Sequence, residues 1–388
     1  MRAAVRASSP KDVARSEARR SFVPAPPDTI LFAAVSSLVA IGLVMIFSAS
    51  SAQAYADHHD TAYYVKRQIV YLVIGLLLAA AAYKIDYRKL KNLAPYTLLL
   101  CVFALIAVLV PHVGVVVNGA RRWVGGGMIS LQPSEFAKLG LVVYLAAVLS
   151  VRGDRITSLV RGLFPLCALV FFMAFLVLVE PDMGTASLFV FTAFAMFFAA
   201  GARIEHLVMI AMVTLPPTVL MVVASPYKRA RIFAFLNPWK DPQNTGFHIV
   251  QSLLALGSGG LLGVGLGESR AKFFYLPEQY TDFIFSVLGE ELGLFGTVTV
   301  VVLFIAFAYR AIRIAVAAPD RFGFFLATGC AAMIVIQAFV NIGVVTSSWP
   351  VTGVPLPFIS FGGSSLIVSL IAVALIMNVG RHRRVNLQ

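Results

Sequence analysis

Ten apolar segments dominate this chain, near residues 30–48, 68–83, 96–111, 134–150, 163–179, 183–201, 207–224, 282–309, 323–345 and 363–379. A helix needs about 20 apolar residues to cross a bilayer core. None of the segments alternates polar and apolar residues as a membrane strand does. A hydrocarbon interior offers no partner to unpaired backbone groups, so repeated runs of this length specify helices. The sequence therefore predicts an all-α polytopic membrane protein with ten transmembrane helices. Apolar residues occupy 59% of the 388 positions and charged residues 13%, against about half and one quarter in soluble domains. An ordinary cytosolic enzyme is excluded, as is a disordered or collagen-like chain, because the glycines and prolines follow no period.

The net charge of +13 would suggest nucleic acid in a soluble protein, but here the basic residues are first read against topology. With the N-terminus inside, 20 of the 31 Lys and Arg residues fall in cytoplasmic tails and loops. Both termini are thus expected in the cytoplasm, and no nucleic-acid partner is called for. The first segment is followed by Ala52-Gln53-Ala54, yet its run of about 19 apolar residues is longer than a cleavable signal core. A retained anchor is the preferred reading. Residues 1–28 form a basic tail expected to be disordered, 29–380 the membrane domain, and 381–388 a second basic tail. Cys101, Cys167 and Cys330 lie inside apolar runs and read as packing residues rather than disulfides or metal ligands.

The chemistry is expected on the outer face, where three connections are long or rich in turn formers: 112–133, 225–281 and 346–362. The largest, 225–281, lies between helices seven and eight. It opens with cations among aromatics, including Lys228, Arg229 and Arg231, a mixture suited equally to an interfacial anchor and to phosphate contact. A second short helix is expected over 247–256, followed by a glycine-rich stretch at 257–267. No Rossmann or P-loop pattern is present, so those glycines read as permitting close backbone packing or anion approach.

Thr281 is expected to cap the eighth span, placing Asp282 in its first turn. There Asp282 serves either the helix dipole or, partly buried at the water boundary, as a base with a raised pKa. Glu290 and Glu291 follow about 12–13 Å deeper if the helix is continuous, with structural and functional roles equally open. Pro133-Ser134 starts the fourth span, and Glu135 and Lys138, three apart, share a face and can pair. Arg121, Arg122 and Trp123 put two guanidinium groups beside an indole, suited to phosphate and to a sugar face or lipid head. Glu180 and Asp182 sit in a tight outer turn, able to ligate a hard cation or merely to be solvated.

Taken in order, 118–123, Gln132-Pro133-Ser134-Glu135-Phe136-Ala137-Lys138, Glu180-Pro181-Asp182-Met183-Gly184-Thr185, 276–283 and 357–365 resemble the SEDS family of bacterial cell-wall proteins. The resemblance covers nearly everything beyond the N-terminal tail. The run from Gly265-Leu266-Gly267-Glu268-Ser269 to Tyr275-Leu276-Pro277-Glu278 looks like the division (FtsW) branch more than the elongation (RodA) branch. Two positions depart from the family pattern: Phe361 stands where Tyr is usual before the Gly-Gly-Ser-Ser motif that contains Ser364, and Tyr280 where His is common.

This resemblance implies a peptidoglycan glycosyltransferase of the bacterial cytoplasmic membrane, enriched at the septum. Its substrate would be lipid II, and its partners a class B penicillin-binding protein, other divisome membrane proteins and membrane lipids. It implies Asp282 as the catalytic base, with Lys138, Arg121, Arg122 and Trp123 toward the pyrophosphate and Glu135 positioning Lys138. Glu180, Asp182, Lys228, Arg229, Glu290 and Ser364 are candidate supporting residues. A divalent cation, Mg or Mn, is compatible with that chemistry, although no dedicated motif marks one. Two other classes fit the same architecture: a lipid II flippase and a non-catalytic division scaffold. The absence of an internal repeat counts against transport.

Overall fold

The computed structural model describes residues 26–111, 113–117, 120–126 and 129–382. The predicted tail over 1–28 and the C-terminal tail therefore lie almost entirely outside the described residues, as do Asn118 and Gly119 of the first motif. Twelve α-helices are described: α1 Thr29–His58, α2 Tyr63–Lys84, α3 Arg88–Leu109, α4 Pro133–Arg152, α5 Phe164–Val179, α6 Met183–Ala199, α7 Ile204–Ala224, α8 Pro226–Leu236, α9 Phe247–Ser258, α10 Ile284–Val316, α11 Arg321–Val345 and α12 Gly363–Arg381. Among the described residues, eight helices are long and apolar enough to cross a membrane, and the chain is a polytopic membrane protein. The two remaining predicted segments are helices as well. One is α6, of 17 residues, and the other is α7.

α12 is the central helix, buried along nearly its whole length. It packs on α2 and α11, while α1 lies against α10, and α4 against α3 and α11. The α2–α12 contact depends on small residues: a methyl added at Gly363 would sit 2.4 Å from the Tyr71 ring. Small residues allow such approach where no hydrophobic difference exists between helix and lipid.

The all-α expectation needs one correction. Within the 112–133 loop, strands β1 Gly114–Val117, β2 Ala120–Gly126 and β3 Ile129–Leu131 form an antiparallel sheet in the order β1-β2-β3. Val115 pairs with Trp123, and Val124 with Leu131. β-branched and aromatic residues favour this pleated surface, and outside the bilayer an open sheet edge can be satisfied by water.

The second departure is inside α10. Gly293 adopts φ 64° and ψ −160°, so the helix is broken there. The glycine-rich stretch supplies the missing backbone partners. Val264 and Gly265 donate to the Glu290 and Glu291 carbonyls at 3.0 and 3.1 Å, and Leu294 and Phe295 donate to Gly260 and Leu261 at 2.9 and 3.3 Å. A break at membrane depth persists only when its freed groups find such partners. The expected role of these glycines in close backbone packing is thus realised. A continuous helix through 282–309 is not, because Gly293 breaks it.

Candidate active site

The site lies where α4, α6, α10 and α12 begin and α11 ends, and it draws in only some of the side chains named from sequence. The site is built outward from a buried pair. Pro133 occupies the first turn of α4, where its missing N–H is not needed. One turn on, the Lys138 ammonium donates to Glu135 Oε1 at 2.9 Å, the predicted pairing. Both residues are 3% exposed. A buried ion pair survives only with further hydrogen bonds, and α11 provides one: Lys138 Nζ donates to Gln337 Oε1 at 2.7 Å. Gln337 Nε2 in turn donates to the Pro355 carbonyl at 2.9 Å and to Ser365 Oγ at 3.1 Å.

One turn along α11, Asn341 repeats the pattern. Its Nδ2 donates to the Asp282 carbonyl and to the Val354 carbonyl, each at 2.8 Å. Ser360 Oγ donates to the Thr281 carbonyl at 2.5 Å and accepts from Leu356 N at 2.8 Å, and Phe361 N donates to the Tyr280 carbonyl at 2.9 Å. The turn 280–282 is therefore strapped to the 354–361 segment by its backbone. Gln337 and Asn341 were not singled out from sequence. The available signal was two amides spaced i, i+4 on an otherwise apolar helix, where polar groups are expensive and need partners.

Asp282 sits one residue before the N-cap of the helix rather than in its first turn. Phe283 is the N-cap residue of α10 and Thr281 Oγ1 donates to Glu278 instead, at 3.1 Å to its carbonyl and 2.8 Å to Oε2. The Asp282 side chain is half-buried and makes no hydrogen bond to other described residues. Burial pushes its pKa up to about 7, helped by the like charges of Glu278 and Asp182 and opposed by Arg231 and Arg122. The opposite face is kept bare by Gly353, where a methyl would lie 3.4 Å from Asp282 Oδ2. The result is a carboxylate with unused acceptor capacity that exchanges a proton near neutral pH.

The cations divide into two groups. Arg122 lies 3.7 Å from Asp182 Oδ2 with its side chain 28% exposed, so it faces the site with donors to spare. Arg121, next along β2, points the other way and gives a long 3.4 Å hydrogen bond to the Leu109 carbonyl at the end of α3. Trp123 is half-buried within the sheet. On α8, Arg229 is exposed, whereas Arg231 reaches the Val351 carbonyl at 3.4 Å and acts electrostatically on Asp282. Among the described α8 side chains, Arg231 is the cation placed at the site. The Lys228 backbone belongs to α8, and its side chain lies outside the described residues.

The outer turn supplies two acids of different character. Asp182 caps α6, accepting from Thr185 N and Thr185 Oγ1 at 2.9 Å each, and from Gln132 Nε2 at 3.0 Å. Glu180 is fully buried with neither carboxyl oxygen hydrogen-bonded to a described residue, and burial, reinforced by Asp182 and opposed by Arg122, raises its pKa to about 8. Ser364 Oγ accepts from Gln132 N at 2.8 Å, tying α12 to the start of α4.

The deeper acids resolve toward architecture. Glu290 accepts from Ser269 Oγ at 2.5 Å, Arg270 N at 3.0 Å and Ala271 N at 3.2 Å, holding the π-turn Ala271–Tyr275. Glu291 accepts from Ser48 of α1 at 2.6 and 2.8 Å and lies 3.8 Å from Lys272 Nζ. Among the described residues no three His, Cys, Asp or Glu side chains converge to hold a metal ion. The two departures noted from sequence adjoin one another: the Tyr280 and Phe361 rings are 5.8 Å apart, and Tyr64 packs on both, at 4.5 and 5.3 Å.

Known proteins give this geometry a context. Residues 28–385 match the family model described as "Cell cycle protein", the group of FtsW, RodA and SpoVE. The chain is 45% identical over 358 residues to "Stage V sporulation protein E" of Bacillus subtilis, covering 92% of this chain and 98% of that protein. It is 43% identical to the "Probable peptidoglycan glycosyltransferase FtsW" of Geobacter metallireducens, covering 92% and 95%. Among solved structures it resembles a chain of a peptidoglycan synthase complex described as coordinating polymerization and crosslinking. That match has TM-score 0.75 and 33% identity, covering 92% and 98% of the two chains. It also resembles the rod shape determining protein RodA of Thermus thermophilus, with TM-score 0.69 and 31% identity over 93% and 98%. A match running almost end to end leads to one conclusion: the chain belongs to the FtsW, RodA and SpoVE family of cell cycle proteins.

Proposed function

We infer that this chain is a peptidoglycan glycosyltransferase that joins lipid II disaccharides into β-1,4 glycan. It is read as a ten-span protein with both termini in the cytoplasm and Asp282 at the outer face. The observation that carries the reading is the Asp282 carboxylate: half-buried, without a protein hydrogen-bond partner among described residues, and raised to about 7. A general base works best with a pKa near the operating pH.

The Asp282 carboxylate takes the proton of the lipid II 4-hydroxyl as that oxygen attacks the anomeric carbon of the growing chain. The new C–O bond forms with inversion as the bond to the pyrophosphate oxygen breaks. Arg122 and Arg231, the cations nearest in electrostatic reach, offset the charge on the departing undecaprenyl pyrophosphate. Lys138 acts through Gln337, which holds the 355–365 segment against α11, and Glu135 fixes Lys138. No step is assigned to a metal ion.

The names borne by relatives support a role in septal wall synthesis, and the likeness to a chain of a synthase complex supports a transpeptidase partner of the class B penicillin-binding type. The test is polymerisation of lipid II by the purified full chain with that partner. Glycan strands from the native chain and none from Asp282→Asn in an intact complex is the expected result. Transfer of labelled lipid II across liposomes with no polymer would point instead to a flippase.

A further inference from the structure

Two adjoining cavities lie far from Asp282 and take no part in the chemistry above. The first, about 470 Å³, is lined by Arg88, Lys91, Asp320 and Arg321. The second, about 400 Å³, shares Lys91 and is walled by Arg152, Tyr144 and Val148. They occupy the place where α3 and α11 begin and α4 ends. Along α11, Arg321 precedes Asn341 by about 30 Å at 1.5 Å per residue, close to the thickness of a bilayer core. The cavities therefore sit at the membrane interface opposite Asp282, the side to which the basic-residue count assigns the cytoplasm.

Four cations line the pair against one carboxylate. Asp320 is already occupied: it caps α11 through Gly323 N at 2.8 Å, accepts from Arg88 Nε at 3.2 Å and accepts the Tyr87 hydroxyl. Arg152 is turned toward the Gly162 carbonyl. Lys91 and Arg321, by contrast, form no ion pair among the described residues. Two uncompensated cations over a void that continues along Tyr144 and Val148 describe a polar head joined to an apolar tail. Basic pockets between helices at the cytoplasmic interface suit phosphate head groups.

We propose that this double cavity binds an anionic glycerophospholipid of the inner leaflet. Its phosphate lies between Lys91 and Arg321, and one acyl chain follows the α3–α4 groove past Tyr144 and Val148. A zwitterionic lipid adds a positive group beside these cations, and inorganic phosphate lacks the tail.

Native mass spectrometry of the detergent-purified full chain tests this with phosphatidylglycerol, phosphatidylcholine and inorganic phosphate as probes. The expected result is about tenfold or greater preference for phosphatidylglycerol over phosphatidylcholine. That preference is lost in Lys91→Ala/Arg321→Ala and kept in Lys89→Ala, which removes a cation outside both cavities. Millimolar phosphate does not displace the lipid. Should the double variant fail to fold, Val148→Trp, which fills the apolar half without touching a charge, must weaken retention of phosphatidylglycerol. Equal binding of the two lipids, unchanged binding in the folded variants, or full displacement by inorganic phosphate overturns the proposal.

Discussion

Asn341 makes the most specific mechanical prediction. It is 1% exposed, and its Nδ2 serves two carbonyls, those of Asp282 and Val354, each at 2.8 Å. Asn341→Leu keeps much of the volume and removes the donor. Each buried carbonyl left without a partner costs ~1–3 kcal/mol, so the variant loses about 2–6 kcal/mol for the two, divided between folding and the placement of the turn. If about half appears as misplacement of Asp282, the rate falls roughly 5- to 140-fold at ~1.4 kcal/mol per decade. Polymerisation kinetics with the partner present, at saturating and limiting lipid II, should show kcat reduced with KM little changed. The position of the pH–rate limb should stay where it is, because Asn341 bonds the backbone rather than the carboxylate. Asn341→Gln, which keeps the amide donor, should restore part of kcat. An Asn341→Leu chain that folds, binds its partner and polymerises at the native rate would refute a positioning role.

Four further outcomes follow from the geometry. Asp282 works as a base only when ionised, so kcat should fall as pH drops through about 7 and level off above it. Glu278→Gln removes a like charge that helps raise that pKa, and should move the limb to lower pH in a stopped polymerisation assay. Gly293→Ala should destabilise the chain by ~1–3 kcal/mol in thermal unfolding, since φ is 64° and the added methyl would lie 2.3 Å from Gly263 N and 2.6 Å from the Leu261 carbonyl. For the buried pair, Glu135→Gln or Lys138→Met alone should cost about 3–5 kcal/mol by leaving one charge unpaired, and the double variant should cost less than either single change. Unfolding midpoints of the three chains decide that comparison.

Much of this architecture is local, and local features were legible in the sequence. The membrane helices follow from uninterrupted apolar runs, and α4 begins at its Pro133 signal. Glu135 meets Lys138 because three residues on a helix share a face. What sequence could not supply is long-range. Lys138 and Gln337 are 199 positions apart, and Asp282 and Asn341 are 59 apart. A hydropathy window averages such single amides into an apolar helix. Capping by Thr281 loses to one local and one long-range contact: Glu278, three residues back, engages its hydroxyl, and Ser360, 79 positions on, its carbonyl. The small sheet escaped because its strands are only 4, 7 and 3 residues long. The break at Gly293 escaped because glycine in a membrane helix more often marks close packing than a change of direction. Only the facing stretch 260–265, whose amides and carbonyls complete the ladder, shows which applies here.

The central claim is that Asp282 removes the proton from the attacking hydroxyl. It is tested most directly by the single-turnover rate of lipid II polymerisation by Asp282→Asn, assembled with its transpeptidase partner and compared with the native complex. Asparagine keeps the size of the side chain and its backbone contact to Asn341 while removing the basic oxygen. The account predicts an intact complex whose polymer formation is lost, down by about 10²–10⁴-fold. An intact Asp282→Asn complex that polymerises within a few-fold of the native rate contradicts it.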